Sequence, residues 1–155
     1  METIHAADEV RVGWDRGEPI KDGAVVVGRD RVAAVGTFAE IRERFPDARV
    51  RRWPGVLGPA LIHRGPIPDA PTPRERIHAV LKLGAVAVLE RYADTPELRA
   101  AAGRTDVVVL PDTVVLPDAA PPAIREAGRA DLAVFDEDGT CIATVCAGRL
   151  VHRRR

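Results

Sequence analysis

Residues Gly55 to Ile67 read GVLGPALIHRGPI, and the organisation of the chain turns on them. The run Gly55-Val56-Leu57-Gly58 reaches a Pro59-Ala60 turn. A second short apolar piece, Leu61-Ile62-His63, leads into Gly65-Pro66-Ile67. From Gly65 to Pro73 the chain is GPIPDAPTP, with four prolines in nine residues. That composition makes a stiff connector and marks a boundary. The sequence before it is β-rich, and the sequence after it alternates helix and strand.

Toward the N-terminus, Thr3 to Val12 reads as a strand, or a pair of strands broken around Ala7-Asp8. Asp22-Gly23 leads into Ala24-Val25-Val26-Val27. Gly28-Arg29-Asp30 then turns the chain into Arg31 to Gly36. Two β-rich runs around a short Gly/Asp turn predict a hairpin. Thr37 and Glu40 have capping-box spacing, so a short helix follows, with Phe38, Ile41 and Phe45 on its apolar face. Pro46 stops it. Arg49 to Trp53 is a further short strand.

Beyond the connector, Thr72 caps a helix with Pro73 at its first position and Glu75 at its third. Ile77, Val80 and Leu81 give that helix an apolar stripe, and Gly84 ends it. Ala85 to Leu89, AVAVL, predicts a strand buried on both faces. Thr95-Pro96-Glu97 opens a second helix that runs to Gly103, and Asp106 to Leu110, DVVVL, predicts a second buried strand. The order α-β-α-β implies a parallel pair joined by a right-handed crossover. The pentad VVLPD then occurs twice, at Val108–Asp112 and Val114–Asp118, and reads as two short strands each stopped by proline. Asp118 to Pro122 is a second proline-rich boundary, and Ala123 to Ala127 is expected to form one helical turn. The tail is β-rich again. Asp131 to Phe135 is a strand, Asp138-Gly139 is a two-residue hairpin signal, Thr140 to Val145 returns, and Leu150-Val151-His152 is a last strand.

At 155 residues the chain suits one domain, or one domain with a small subdomain. With 46% hydrophobic and 30% charged residues it can bury a real core. Lys+Arg of 23 balances Asp+Glu of 23, so no global field favours nucleic acid or an anionic membrane. The clusters Arg49-Val50-Arg51-Arg52-Trp53 and Arg153-Arg154-Arg155 each read as solvated surface in a neutral chain. The basic residues are nearly all Arg, which points to GC-rich bacterial codon usage. Met1 to Val12 carries Glu2, Asp8 and Glu9 and has no apolar signal core. No run approaches the roughly 20 apolar residues that span a bilayer. A cytoplasmic location is the expectation. Cys141 and Cys146 are expected to be buried free thiols, directed to opposite faces of one strand by their odd spacing. The chain contains no serine, which excludes a serine hydrolase.

Several phrases resemble the amidohydrolase superfamily, above all its imidazolonepropionase-like and deaminase-like members. They are DGAVVV at Asp22–Val27, RVAAVG at Arg31–Gly36, GVL at Gly55–Leu57, GRADLAVFD at Gly128–Asp136 and VCAGRLV at Val145–Val151. In that family the two ends of the chain jointly build a composite domain beside a (β/α)8 barrel. The resemblance therefore implies a mixed β and α/β fold. A β-sandwich-like composite domain is built from both chain ends, with a small α-β-α-β insert in place of a TIM barrel, which typically needs about 250 residues. The composite domain is expected over residues 1–64 plus 128–152, and the α/β remnant over 72–118. Residues 65–71 and 119–127 are proline-rich connectors. Half of such a domain would leave an apolar face and strand edges exposed, so each half requires the other.

Members of the family hydrolyse C–N and related bonds with metal-activated water. Their His-x-His pair follows the first barrel strand. Alignment places Gly65 and Ile67 at those positions, and neither binds a metal through its side chain. His5, His63, His78 and His152 match no ligand position. For a rebuilt metal site the candidates are His63, His78, Glu90 and Asp112, with Asp94 close by, and zinc is the metal it would take. Glu90 and Asp112 follow predicted strands at the ends where α/β proteins place their chemistry. No catalytic residue and no other cofactor is assigned. The expected function is that of an amidohydrolase-like protein without hydrolase activity, acting as a homo-oligomer or by binding a protein partner, with no nucleic acid and no membrane. The alternative is a hydrolase of non-peptide carbon–nitrogen bonds with a rebuilt or partner-completed metal site. A third reading is a small-molecule sensor using the cleft between the two parts.

Overall fold

Strand β1 (Glu2–Val10) is hydrogen-bonded on both sides in the computed structural model, which describes residues 1–112 and 121–154. One neighbour is β2 (Ile20–Gly28), antiparallel, and the other is β4 (Arg49–Pro59), parallel. β2 continues into β3 (Arg31–Thr37) through the predicted hairpin. The register of β1 slips between Ala7 and Glu9, and this bulge is what the broken pattern around Ala7-Asp8 encodes. It also lets β4 run through Pro54, because the Asp8 carboxylate takes the Gly55 N–H at 2.9 Å. Helix α1 (Phe38–Arg44) follows β3. Its cap is the predicted one, with the Thr37 hydroxyl accepting the Glu40 N–H at 3.3 Å.

The C-terminal strands complete the same sheet. β8 (Leu132–Phe135) pairs antiparallel with β4, from Val56 opposite Phe135 to Pro59 opposite Leu132. β9 (Cys141–Cys146) and β10 (Arg149–Arg153) extend it, giving the order β10-β9-β8-β4-β1-β2-β3. The segment before β8 also runs beside β3: Val32 donates to the Gly128 carbonyl at 2.9 Å, and Ala130 donates to that of Asp30 at 2.8 Å. Val25, Val27 and Val32 from one end of the chain share a core with Leu132, Val134 and Val145 from the other. Burying each such side chain is worth about 1.5–3 kcal/mol, and neither half can do so alone. The other face of β1–β3 carries Ile4, Ala24, Val26 and Ala34 beneath Ile41 of α1. The composite β domain built from both chain ends is thus the observed architecture.

Between β4 and β8 lie β5 (Leu61–His63), α2 (Pro73–Lys82), β6 (Ala85–Leu89), α3 (Pro96–Arg104) and β7 (Val108–Leu110). The three strands are parallel in the order β5-β6-β7, far short of a closed barrel. The Thr72 and Thr95 hydroxyls cap the two helices, accepting the Glu75 and Leu98 N–H groups at 3.1 Å, with proline just inside each start. The insert packs on the outer face of the composite sheet. Ile77, Leu81 and Leu98 share a core with Ala133 and Cys146. Buried Thr144 donates its hydroxyl to the Leu81 carbonyl at 2.7 Å, closing the last turn of α2.

Four local expectations change. β6 is buried throughout, but among the described residues β7 is an edge strand, and Val108 is 36% exposed. Ala123 to Ala127 makes no helical turn: Ile124 is tied to the Val12 carbonyl, and Ala127 has φ +67°. The turn after β8 spans Asp136 to Thr140, because Asp136 Oδ1 accepts the N–H groups of both Asp138 and Thr140. Cys141 and Cys146 share one face. A register irregularity between β8 and β9 lets Ile142 and Ala143 both enter the inner core, which restores both thiols to the insert side. Both are buried and free. The second copy of the VVLPD pentad, Val114 to Asp118, lies outside the described residues, as do residues 119 and 120 of the second connector. No helix among the described residues is long and apolar enough to cross a membrane.

Candidate functional site

Parallel sheets place their strand C-termini along one edge, and here that edge gathers three of the four candidate residues. His63 closes β5, Glu90 follows β6 and Asp112 follows β7. Their polar atoms are engaged within the chain. Pro66 has only its carbonyl to offer, so His63 Nε2 carries the proton and donates across 2.8 Å. Glu90 Oε1 accepts the Asp112 N–H at 3.4 Å, while the Glu90 N–H meets the Leu110 carbonyl at 2.9 Å. Arg91 Nε donates to Asp112 Oδ1 at 3.3 Å, and that carboxylate raises the arginine's already high pKa. These contacts tie the end of β6 to the end of β7. Asp94 precedes the capping Thr95 and is exposed.

His78 stands apart on α2. It borders a cleft of about 480 Å³ between α2, the end of α3 and β10, lined by Arg74, Glu75, Leu81, Thr105 and Val151. Partial burial, then the nearby Lys82, His152 and Arg74, push its pKa below the ordinary histidine value. Sequence reasoning assigned His152 to the β domain and His78 to a helix, and nothing local signalled that they meet. Among the described residues, no three His, Cys, Asp or Glu side chains converge to hold a metal. The donors present do not fit the zinc that the family resemblance implies: His63 serves its own turn, Asp112 serves Arg91, and His78 lies in another cleft.

A smaller cavity, about 260 Å³, lies where the insert meets the β domain. Ile62, Ala87, Val108 and Leu110 line it, together with Arg129 and Asp131. Arg129 Nε pairs with Asp131 at 2.9 Å, and its guanidinium also donates to the Asp106 carbonyl and to Cys146 Sγ. This one side chain joins the start of β8, the end of β9 and the approach to β7. Burial drives the Cys146 thiol up to about 11, against the lowering effect of Arg129.

Comparison with known proteins agrees with this geometry. Residues 23–48 match the model of the bacterial imidazolonepropionase-like composite domain. No curated protein matches the sequence. Among solved structures, Escherichia coli guanine deaminase is 14% identical with a TM-score of 0.55, over 72% of this chain and 35% of that one. An adenosine deaminase from Xanthomonas campestris with bound zinc is 19% identical with a TM-score of 0.52, over 70% and 33%. Helicobacter pylori aminofutalosine deaminase in complex with methylthio-coformycin is 13% identical with a TM-score of 0.50, over 70% and 34%. The chain thus spans about a third of the length of the deaminases it resembles. Residues 23–48 thus resemble an imidazolonepropionase-like composite domain, and the fold that joins both chain ends is shared with these deaminases.

Proposed function

We propose that this protein is a non-catalytic member of the amidohydrolase-like group that acts by self-association or by binding a protein partner. The observation that supports this reading is the way the insert ends. Among the described residues, its three parallel strands leave β5 and β7 as edges, and β7 presents Val108 at 36% exposure. Parallel sheets are normally covered on both faces and at their edges, and an uncovered edge is a template for another chain. The strand ends where chemistry would be placed are tied by Glu90, Arg91 and Asp112 to one another. Light scattering on the purified chain tests the proposal. A mass above one protomer, or a defined complex recovered with a second chain, is expected, and a monomer that recovers no partner would refute it.

A second reading is favoured by one observation: His63, Glu90 and Asp112 share the C-terminal edge of the parallel sheet. In that reading the chain belongs to a hydrolase of non-peptide carbon–nitrogen bonds, with the remaining ligands supplied by a partner. Metal analysis of the purified protein separates the two. Stoichiometric zinc lost in His63→Ala or Asp112→Ala would favour the hydrolase.

A further inference from the structure

Two sets of arginines far apart in the sequence, on β4 (Arg49, Arg51, Arg52) and at the end of β10 (Arg153, Arg154), come together in the fold. Register sets Arg49 beside Thr3 and Arg51 beside His5, both on β1. β10 delivers Arg153 over the ring of Trp53, with the guanidinium carbon 5.5 Å from the ring centre. Trp53 is anchored in turn by His5, whose ring stacks at 6.3 Å and whose Nδ1 accepts the indole N–H at 3.2 Å. A cavity of about 270 Å³ opens at this place, lined by Arg52, Trp53, Pro54, Ile142, Arg153 and Arg154.

The charges here are not balanced locally, although the chain is neutral overall. Arg52 pairs with Asp22, and Arg154 pairs with Asp136. Among the described residues, no acidic side chain forms an ion pair with Arg49, Arg51 or Arg153. Burial, then Arg49 and Arg153, lower the pKa of Arg51. Arginine keeps its proton, so an anion is the natural complement to these charges.

We propose that this end of the β domain is a binding site for a phosphate group, free or carried on a small metabolite, held in the cavity by Arg153 above the Trp53 floor, with Arg51, two residues before Trp53 on β4, beside it. A phosphate dianion matches several convergent guanidinium groups better than a single carboxylate does, and planar guanidinium forks suit its oxygens. The cavity is just below the usual size of a small-molecule pocket, which suits a ligand as small as a phosphate group. The rigid Trp53–His5 pair holds the floor in place before any ligand arrives.

Calorimetric titration of the full chain with inorganic phosphate and with ribose 5-phosphate, in chloride buffer of low ionic strength, tests the proposal. Saturable binding at one site is expected, and Arg153→Gln and Arg51→Gln should each weaken it at least about tenfold. Arg104→Gln, on α3 away from the site, should leave it unchanged. Tighter binding of ribose 5-phosphate would assign the site to a phosphorylated metabolite, and equal binding would assign it to free phosphate. Arg153 is exposed on the last strand, so its variant keeps the fold, which circular dichroism verifies. No saturable binding, or affinity unchanged in both arginine variants, would overturn the proposal. So would preferred binding of single-stranded DNA with a salt dependence spanning several phosphates, which would make this a polyanion surface.

Discussion

Trp53 donates its indole N–H to Nδ1 of His5 across 3.2 Å, joining β4 to β1 through two buried side chains. Burial, and secondarily Arg51, hold the His5 pKa down at about 4. The neutral ring is therefore the folded form, with Nδ1 free to accept. An unfolded histidine takes up its proton near 6.5, whereas the folded one refuses it until about 4. Stability is unaffected above pH 6.5 and falls as pH drops through this window, by about 3 kcal/mol in total. Denaturant unfolding measured from pH 7.5 to 4 should show that loss, and His5→Gln should remove most of it. The remaining slope belongs to His78, whose pKa is shifted in the same direction, and at the acid end to Glu9 and Asp136.

Gly55 sits where the N-terminal and C-terminal halves of the β domain meet. Its φ is +90°, and a Cβ there would overlap the Phe135 carbonyl oxygen. Gly55→Ala should therefore cost about 2–5 kcal/mol through backbone strain and overlap together. The midpoint of urea unfolding reads this directly. A loss below about 0.5 kcal/mol would show that β4 and β8 do not pack as described.

Thr144 is the polar stitch between β9 and α2. Thr144→Val removes one of the two donors to the Leu81 carbonyl, which keeps the Gly84 N–H at 3.0 Å, at a cost of about 0.5–1.5 kcal/mol. Thr144→Ser keeps the hydroxyl and should recover most of that loss. Hydrogen exchange at the C-terminal turn of α2 should quicken in the valine variant only.

The cysteines should be inert in the folded protein. Burial raises Cys141 and drives Cys146 up to about 11, so almost no thiolate is present at pH 8. Alkylation followed by mass spectrometry should modify neither under native conditions and both in denaturant. Rapid native labelling of either would contradict the packing of β9 against the insert.

The parts of the fold that depend on neighbours in sequence were legible in it. The three helices among the described residues begin at the threonine expected, because an N-cap is satisfied within three residues. The β2–β3 hairpin and the buried AVAVL strand were legible for the same reason, each carrying its own pattern. What could not be read were features created by pairing. β4 passes through Pro54 only because Asp8, on another strand, takes up the Gly55 N–H. The two thiols share a face only because β8 and β9 slip register. At the candidate edge, the strand-end positions of Glu90 and Asp112 were foreseen, but their mutual hydrogen bond and the pairing with Arg91 were not. The placement of Arg153 over Trp53 depends on strands far apart in the sequence, and no local signal encodes it.

Native mass spectrometry of the protein isolated from its own host reads subunit number, partner and metal at once. A species at a whole multiple of the 16.7 kDa chain, or the chain bound to a second polypeptide, is predicted, without stoichiometric zinc. A 16.7 kDa monomer, with or without zinc, would contradict the account.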